Sequence, residues 1–94
     1  MNYIHQYVYD KRNQPVAVIA AVVHPVENDS VFLGWSRCNK SLGDRFDRNL
    51  GIKIAVDRAL ARGGNTFIPD SLQEDFNYMI NRANRYFKDK KIFA

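Results

Sequence analysis

Ninety-four residues leave room for a single domain, and 46% apolar against 26% charged side chains excludes a disordered tail. A net charge of +4 is mild for a dedicated nucleic-acid binder but suits an acidic partner, and one cysteine excludes an internal disulfide. The longest apolar run, Pro15 to Val23, falls far short of the roughly 20 residues that cross a bilayer.

The chain opens with MNYIHQYVYDK, which lacks the basic-then-apolar order of a signal peptide; a cytoplasmic location without membrane contact is expected. Tyr3 to Tyr9 alternates, with Tyr3, His5, Tyr7 and Tyr9 on one face and Ile4, Gln6 and Val8 on the other, which is strand periodicity. Asp10 to Gln14 is polar and turn-prone. Val16 to His24 is apolar on both faces, Val16, Val18, Ala20 and Val22 against Ala17, Ile19, Ala21 and Val23. Pro25 and the polar run Glu27 to Ser30 make a second turn, and Val31 to Cys38 a third strand. Short loops imply an antiparallel meander with the apolar strand in its centre, so both sides of the sheet need cover.

Ser41 or Asp44 is expected to start a first helix that ends at Gly63-Gly64, with Phe46, Leu50, Ile54, Val56 and Leu60 on its apolar side. Gly51 inside it costs about 1 kcal/mol relative to Ala, which points to close contact with the sheet. Asp70 caps a second helix whose Leu72, Phe76, Met79, Ile80, Ala83 and Phe87 recur at helical steps, and Lys88, Lys90 and Lys91 close it. The expected fold is α+β, a three-stranded antiparallel meander followed by two helices, over residues 1–94. The short connection between the helices favours the same side of the sheet for both. The other sheet face would then be an exposed apolar patch, which implies a homodimer.

Positive charge concentrates between Arg37 and Arg62, where seven basic residues meet three acids. Arg37, Lys40, Arg45, Arg48, Arg58 and Arg62, with Trp35 interleaved, form the candidate partner-binding set, and Arg48, Arg58 and Arg62 are expected on one helical face. Solvated arginines on an outer helix face are the plain alternative. Cys38 has His5 and His24 on strands of the same sheet, but no orienting third group or oxyanion hole accompanies them; a small buried thiol is the simpler reading. One cysteine and two scattered histidines lack metal-ligand spacing, and the glycines are not followed by the Lys-Ser/Thr of a phosphate loop. No catalytic residue, metal or cofactor is expected. Lys53 and Asp57 read as a partly buried pair, with Asp57 alternatively holding Arg37 to stiffen the corner.

The stretch GWSRCNKSLGDRFDRNLGIKIAVDRALARG resembles a type of small bacteriophage accessory protein. Its members pair a hairpin like YVYDKRNQPVAVIA with the patterns G-W-S-x-C-N, D-x-F and G-x-x-I-A-x-x-R-A. Here these are Gly34, Trp35, Ser36, Cys38 and Asn39; Asp44 and Phe46; Gly51, Ile54, Ala55, Arg58 and Ala59. The match covers about residues 3–62. It implies an inhibitor of a host protein or ribonucleoprotein, such as a CRISPR or cyclic-nucleotide defence system, acting in the host cytoplasm, and carries no reaction. The segment IAVDRALA is similar to the helix of double-stranded-RNA-binding domains, but their leading helix is missing. Sheet-reading DNA-binding domains share the strand–helix order, but their strands are richer in Arg. The second reading is a DNA- or RNA-binding regulator, or a nucleotide binder, using the Arg37–Arg62 surface.

Overall fold

The computed structural model describes residues 2–38, 45–62 and 67–93. Three strands, β1 (Tyr3–Tyr9), β2 (Pro15–Val23) and β3 (Ser30–Arg37), form the antiparallel meander that the short loops implied. Helix α1 (Arg48–Arg62), a 3-10 turn (Asp70–Leu72) and helix α2 (Gln73–Tyr86) follow. A fourth strand, β4 (Lys91–Phe93), then pairs parallel with β3, so the sheet is four-stranded and mixed, in the order β1-β2-β3-β4.

Strand β4 corrects the expectation that Lys91 belongs to a helix end. The Phe87 amide still donates to Ala83 O at 2.7 Å, but Phe87 itself leaves helical geometry at φ −107°, ψ 69°. A turn through Lys88 and Asp89 then brings the Lys91 amide to Asp29 O at 2.8 Å. Ile92 lies opposite Val31, and the Phe93 ring stacks on Phe32 with centroids 5.1 Å apart. Three residues are too few for a period to show in sequence.

Both turns of the meander are held by side chains. Asp10 Oδ1 accepts the amides of Arg12 and Gln14, and Asn13 takes the left-handed conformation, φ 61°, that lets the hairpin close. His24 Nδ1 accepts the amides of Val26 and Glu27. Opposite Val8 and Tyr9, β2 presents Ala17 and Pro15, so Val16 is a bulge. The bulge turns Val16 onto the Ala17–Ile19 side, opposite to the face that strict alternation assigned.

The two helices cover opposite faces. Ile4, Val8, Ala17, Ile19, Ala21, Val31 and Leu33 pack under Leu72, Phe76, Met79, Ala83 and Phe87. Val18, Ala20, Val22 and Phe32 pack under Ala55, Val56 and Ala59. A three-layer α–β–α arrangement results, and both faces of β2 are buried within one chain. The expectation of two helices on the same side is therefore corrected, and the apolar patch that motivated a homodimer is covered.

Helix α1 starts later and lies closer to the sheet than its large side chains suggest. Asp47 Oδ1 accepts the Leu50 amide at 3.0 Å, so Asp47 is the cap, while Ser41, Asp44 and Gly63-Gly64 lie outside the described residues. Of the expected apolar side, Val56 is buried and Phe46 and Leu60 pack against the core, but Leu50 is 53% exposed, and the closest approach to the sheet is made by the small residues Gly51, Ala55 and Ala59. Ala55 and Ala59 seat α1 on Gly34, where a Cβ would overlap Ala55 O and Ala59 N. A Cβ on Gly51 would sit 3.0 Å from Val18 Cγ2, the close contact its mid-helix position implied. At the start of α2, Asp70 opens the 3-10 turn and makes no side-chain cap.

Candidate binding surface at the strand–helix corner

Where β3 runs out and α1 begins, the chain leaves a cleft of about 250 Å³. Strand β3 contributes Ser36 and Arg37, with Cys38 following it; the approach to α1 contributes Arg45, Phe46 and Asp47; the first turns of α1 contribute Leu50, Gly51 and Ile54. Ser36 Oγ donates to Gly51 O at 2.7 Å and ties strand to helix beneath the cleft. The Asp47 carboxylate is engaged as the helix cap, and Arg37 and Arg45 are both exposed beside it. Arg37 Nη1 lies 3.4 Å from Ser71 Oγ, so it reaches the α2 side rather than Asp57.

The remaining cations are dispersed. Arg48 extends toward β1 and places its guanidinium 5.1 Å from the Tyr7 ring centroid. Arg58 extends toward β3, 5.6 Å from the Trp35 centroid, and donates to Trp35 O at 3.0 Å. Since β1 and β3 flank β2 on opposite sides, the two guanidinium groups end over different strands and do not form one cluster. Trp35 is half-buried, and its indole N–H donates to Phe67 O at 2.7 Å; it anchors the chain segment after α1. Lys40 lies outside the described residues, and of Arg62 only the backbone, the last residue of α1, is described. The corner thus assembles Arg37 and Arg45, with Arg58 on its Trp35 flank and Arg48 on the far side of the helix.

Arg58 also has a structural task. Strand β4 pairs only with Ser30 to Phe32, so the second half of β3 extends beyond it. Arg58 takes up one of the carbonyls there, and on the outer edge of β1 Arg82 Nη1 donates to His5 O at 2.8 Å. A cation on a strand edge discourages pairing with another chain.

Other candidate chemistry is spread apart by the register. Cys38 pairs with Val16 and His24 with Ser30, eight residues along β3, or about 26 Å. His5 lies opposite Ala20, and Ala20 opposite Gly34, about 13 Å along the sheet from Cys38 and two strands away. Lys53 and Asp57 do pair, at 3.7 Å, but both side chains are mostly exposed instead of partly buried. Burial, then the Arg82 charge, lowers the His5 pKa below its ordinary 6.5; burial, then Glu74, raises that of Asp75 above 3.8. Among the described residues no group of three or more His, Cys, Asp and Glu is placed to hold a metal, and no helix is long and apolar enough to cross a membrane.

One feature escaped the charge pattern that drew attention to the corner. Tyr3, His5 and Tyr7 form a row of rings along β1, with centroids 6.1 and 5.4 Å apart. Their shared face was visible in the alternation. Compared with protein-family models, with curated proteins and with solved structures, the chain matches none.

Proposed function

We propose that the chain is a non-catalytic binding protein of the phage accessory type, which docks the β3–α1 corner on an acidic surface of a host component and inhibits it. The observation that supports this reading is the cleft itself, where Arg45 is exposed, Arg37 stands at the β3 rim with its guanidinium turned toward Ser71, and the one carboxylate of the lining, Asp47, is engaged as a helix cap. An exposed guanidinium beside a concave, partly apolar floor, with a second at the rim, suits a carboxylate-bearing protein surface. The target class is a defence system, CRISPR or cyclic-nucleotide signalling, in the host cytoplasm.

The test is phage plating on bacteria that carry such a system, with and without the protein. The expected result is restored plating with wild-type protein and none with Arg37→Glu/Arg45→Glu, at unchanged thermal stability because both side chains are exposed. Plating that the double variant restores as well as wild type would dismiss the corner. The net charge of +4 over Arg37 to Arg62 favours a second reading, a DNA- or RNA-binding regulator using the same arginines. That reading requires binding to random duplex that falls steeply between low and moderate salt.

A further inference from the structure

Helix α1 lies across β2 and β3, and α2 covers the opposite face of the sheet. The α1-side face of β1 is thus left beside the helix rather than beneath it. That face carries Tyr3, His5 and Tyr7, and the outer flank of α1 forms a wall next to it. At the Tyr3 end the space between them is a groove of about 370 Å³, walled by Asn49, Ile52, Lys53, Val56 and Asp57. At the other end Phe46 meets the Tyr7 ring edge-on at 6.0 Å, and Arg48 lies over that ring.

We infer that this groove binds single-stranded nucleic acid, with bases stacking on the Tyr3–His5–Tyr7 row and backbone phosphates meeting Arg48 and Lys53. The row and the groove supply the two parts that such binding needs, successive π-faces and cations running alongside them. Tyr3 to Tyr7 spans about 13 Å along the strand, room for roughly two to four nucleotides. The rings are inclined to one another by 43° and 66°, so they form separate steps rather than one stacked column closed to a guest. Tyr3 is 37% exposed and heads the row at the open end. His5 is pinned through its carbonyl by Arg82, and burial with that nearby charge keeps its ring neutral near pH 7, a flat surface for a base. Arg48 already sits over an aromatic face and can exchange that contact for a phosphate.

Asp57 sharpens the assignment. It stands on the groove wall and holds Lys53 in an exposed pair, an interaction weak enough for a phosphate to displace. A carboxylate there opposes an anion. A polyanion with π-faces is therefore expected to bind more tightly once Asp57 is neutralised, whereas a basic peptide drawn to Asp57 would bind more weakly. This site uses neither Arg37 nor Arg45, so it stands apart from the corner.

The experiment is fluorescence anisotropy on the full chain with eight-nucleotide dT and rU strands and a duplex of matched length, at 50 and 200 mM salt. Expected are binding of at least one single strand in preference to duplex and weakening at the higher salt. Tyr3→Ala should lose about tenfold or more in affinity. Lys53→Glu should lose a comparable factor, and Asp57→Asn should gain several-fold. Arg37→Glu/Arg45→Glu should bind close to wild type, so the corner and the groove fail separately. The difference between the dT and rU arms identifies the preferred sugar. Tyr3, Lys53 and Asp57 are at least one-third exposed, so melting curves should show each variant folded. Absence of binding by both strands at 50 mM salt, duplex bound as well as single strand, or Tyr3→Ala indistinguishable from wild type would overturn the assignment. So would an Asp57→Asn variant that binds more weakly.

Discussion

Replacing Gly34 by alanine tests how α1 is seated on the sheet. By local preference the change is favourable, since a strand glycine is about 0.5–1 kcal/mol worse than alanine. The structure predicts the reverse. The added methyl would overlap Ala55 O and Ala59 N and lie 3.0 Å from Ala59 Cα, all backbone atoms of α1 that no rotamer can move aside. The helix would have to lift by about 1 Å, and a gap of that size forfeits a quarter to a half of each dispersion contact beneath Ala55, Val56 and Ala59. Overpacking costs typically 1–3 kcal/mol, and a rigid backbone neighbour places this case at about 3 kcal/mol or above. For a domain of this size that is on the order of a 15 °C drop in melting temperature. Gly51→Ala is the internal control. Its Cβ would meet Val18 Cγ2 at 3.0 Å and Ser36 Oγ at 3.4 Å, and the helix preference for alanine, about 1 kcal/mol, offsets that tightness. Thermal denaturation followed by circular dichroism should show Gly51→Ala within about 1 kcal/mol of wild type and Gly34→Ala far below it. A Gly34→Ala protein that melts at or above wild type would refute the seating of α1 on β3.

Phe76 is fully buried where α2 meets the sheet, and Phe76→Ala should cost about 3–5 kcal/mol in urea denaturation, most of the stability of so small a domain. An unchanged midpoint would mean that α2 does not hold the fold. Stability should also depend on pH through His5, whose native pKa lies below its ordinary 6.5. Between those two values the unfolded chain binds more protons, so stability is full above pH 6.5 and falls as the pH drops toward the native value. Asp75, raised above 3.8, acts in the opposite sense: its contribution is present in acid and is lost as the pH rises through its native value. His5→Phe should flatten the slope just below pH 6.5, and a slope equal to that of wild type would exclude His5 as its source.

How far the fold could be read in advance depended on whether each feature is local. The first strand was legible because seven residues of alternation show a period of two, and the next two because β-branched, apolar runs of nine and eight residues are bounded by turn residues. The bulge at Val16 was not, since an extra residue leaves the composition of both faces almost unchanged while reversing one side chain. On α1 the large side chains were only a partial guide, since Val56 is buried but Leu50 is exposed. The closest approach to the sheet is made by Gly51, Ala55 and Ala59, and the two alanines matter only once Gly34, more than twenty residues earlier in the chain, lies opposite them. The placement of α2 followed the same logic. A short connection between helices favours one side, but the contacts of Phe67 and Ser71 hold the start of α2 to the part of β3 that β4 leaves open. Trp35, which packs with the α2-side core, takes Phe67 O there, and Arg37 reaches Ser71, so by Phe67 the chain is already held on the far face. Charge behaved alike: the Arg37–Arg62 excess was plain in the sequence, but its destinations were not. Arg48 and Arg58 stand ten residues apart, about 80° around the helix, and each follows the nearest ring, Tyr7 for one and Trp35 for the other. Those rings belong to strands on either side of β2, so a cluster in sequence becomes two separate flanks in space. The flank beside β1 meets a row of aromatic residues that carries no charge of its own and so drew no notice from a charge count. That convergence of Arg48 with Tyr3, His5 and Tyr7 requires the sheet order, and it is the reason that the groove, rather than the whole basic stretch, is the part of this helix best suited to a nucleic-acid strand.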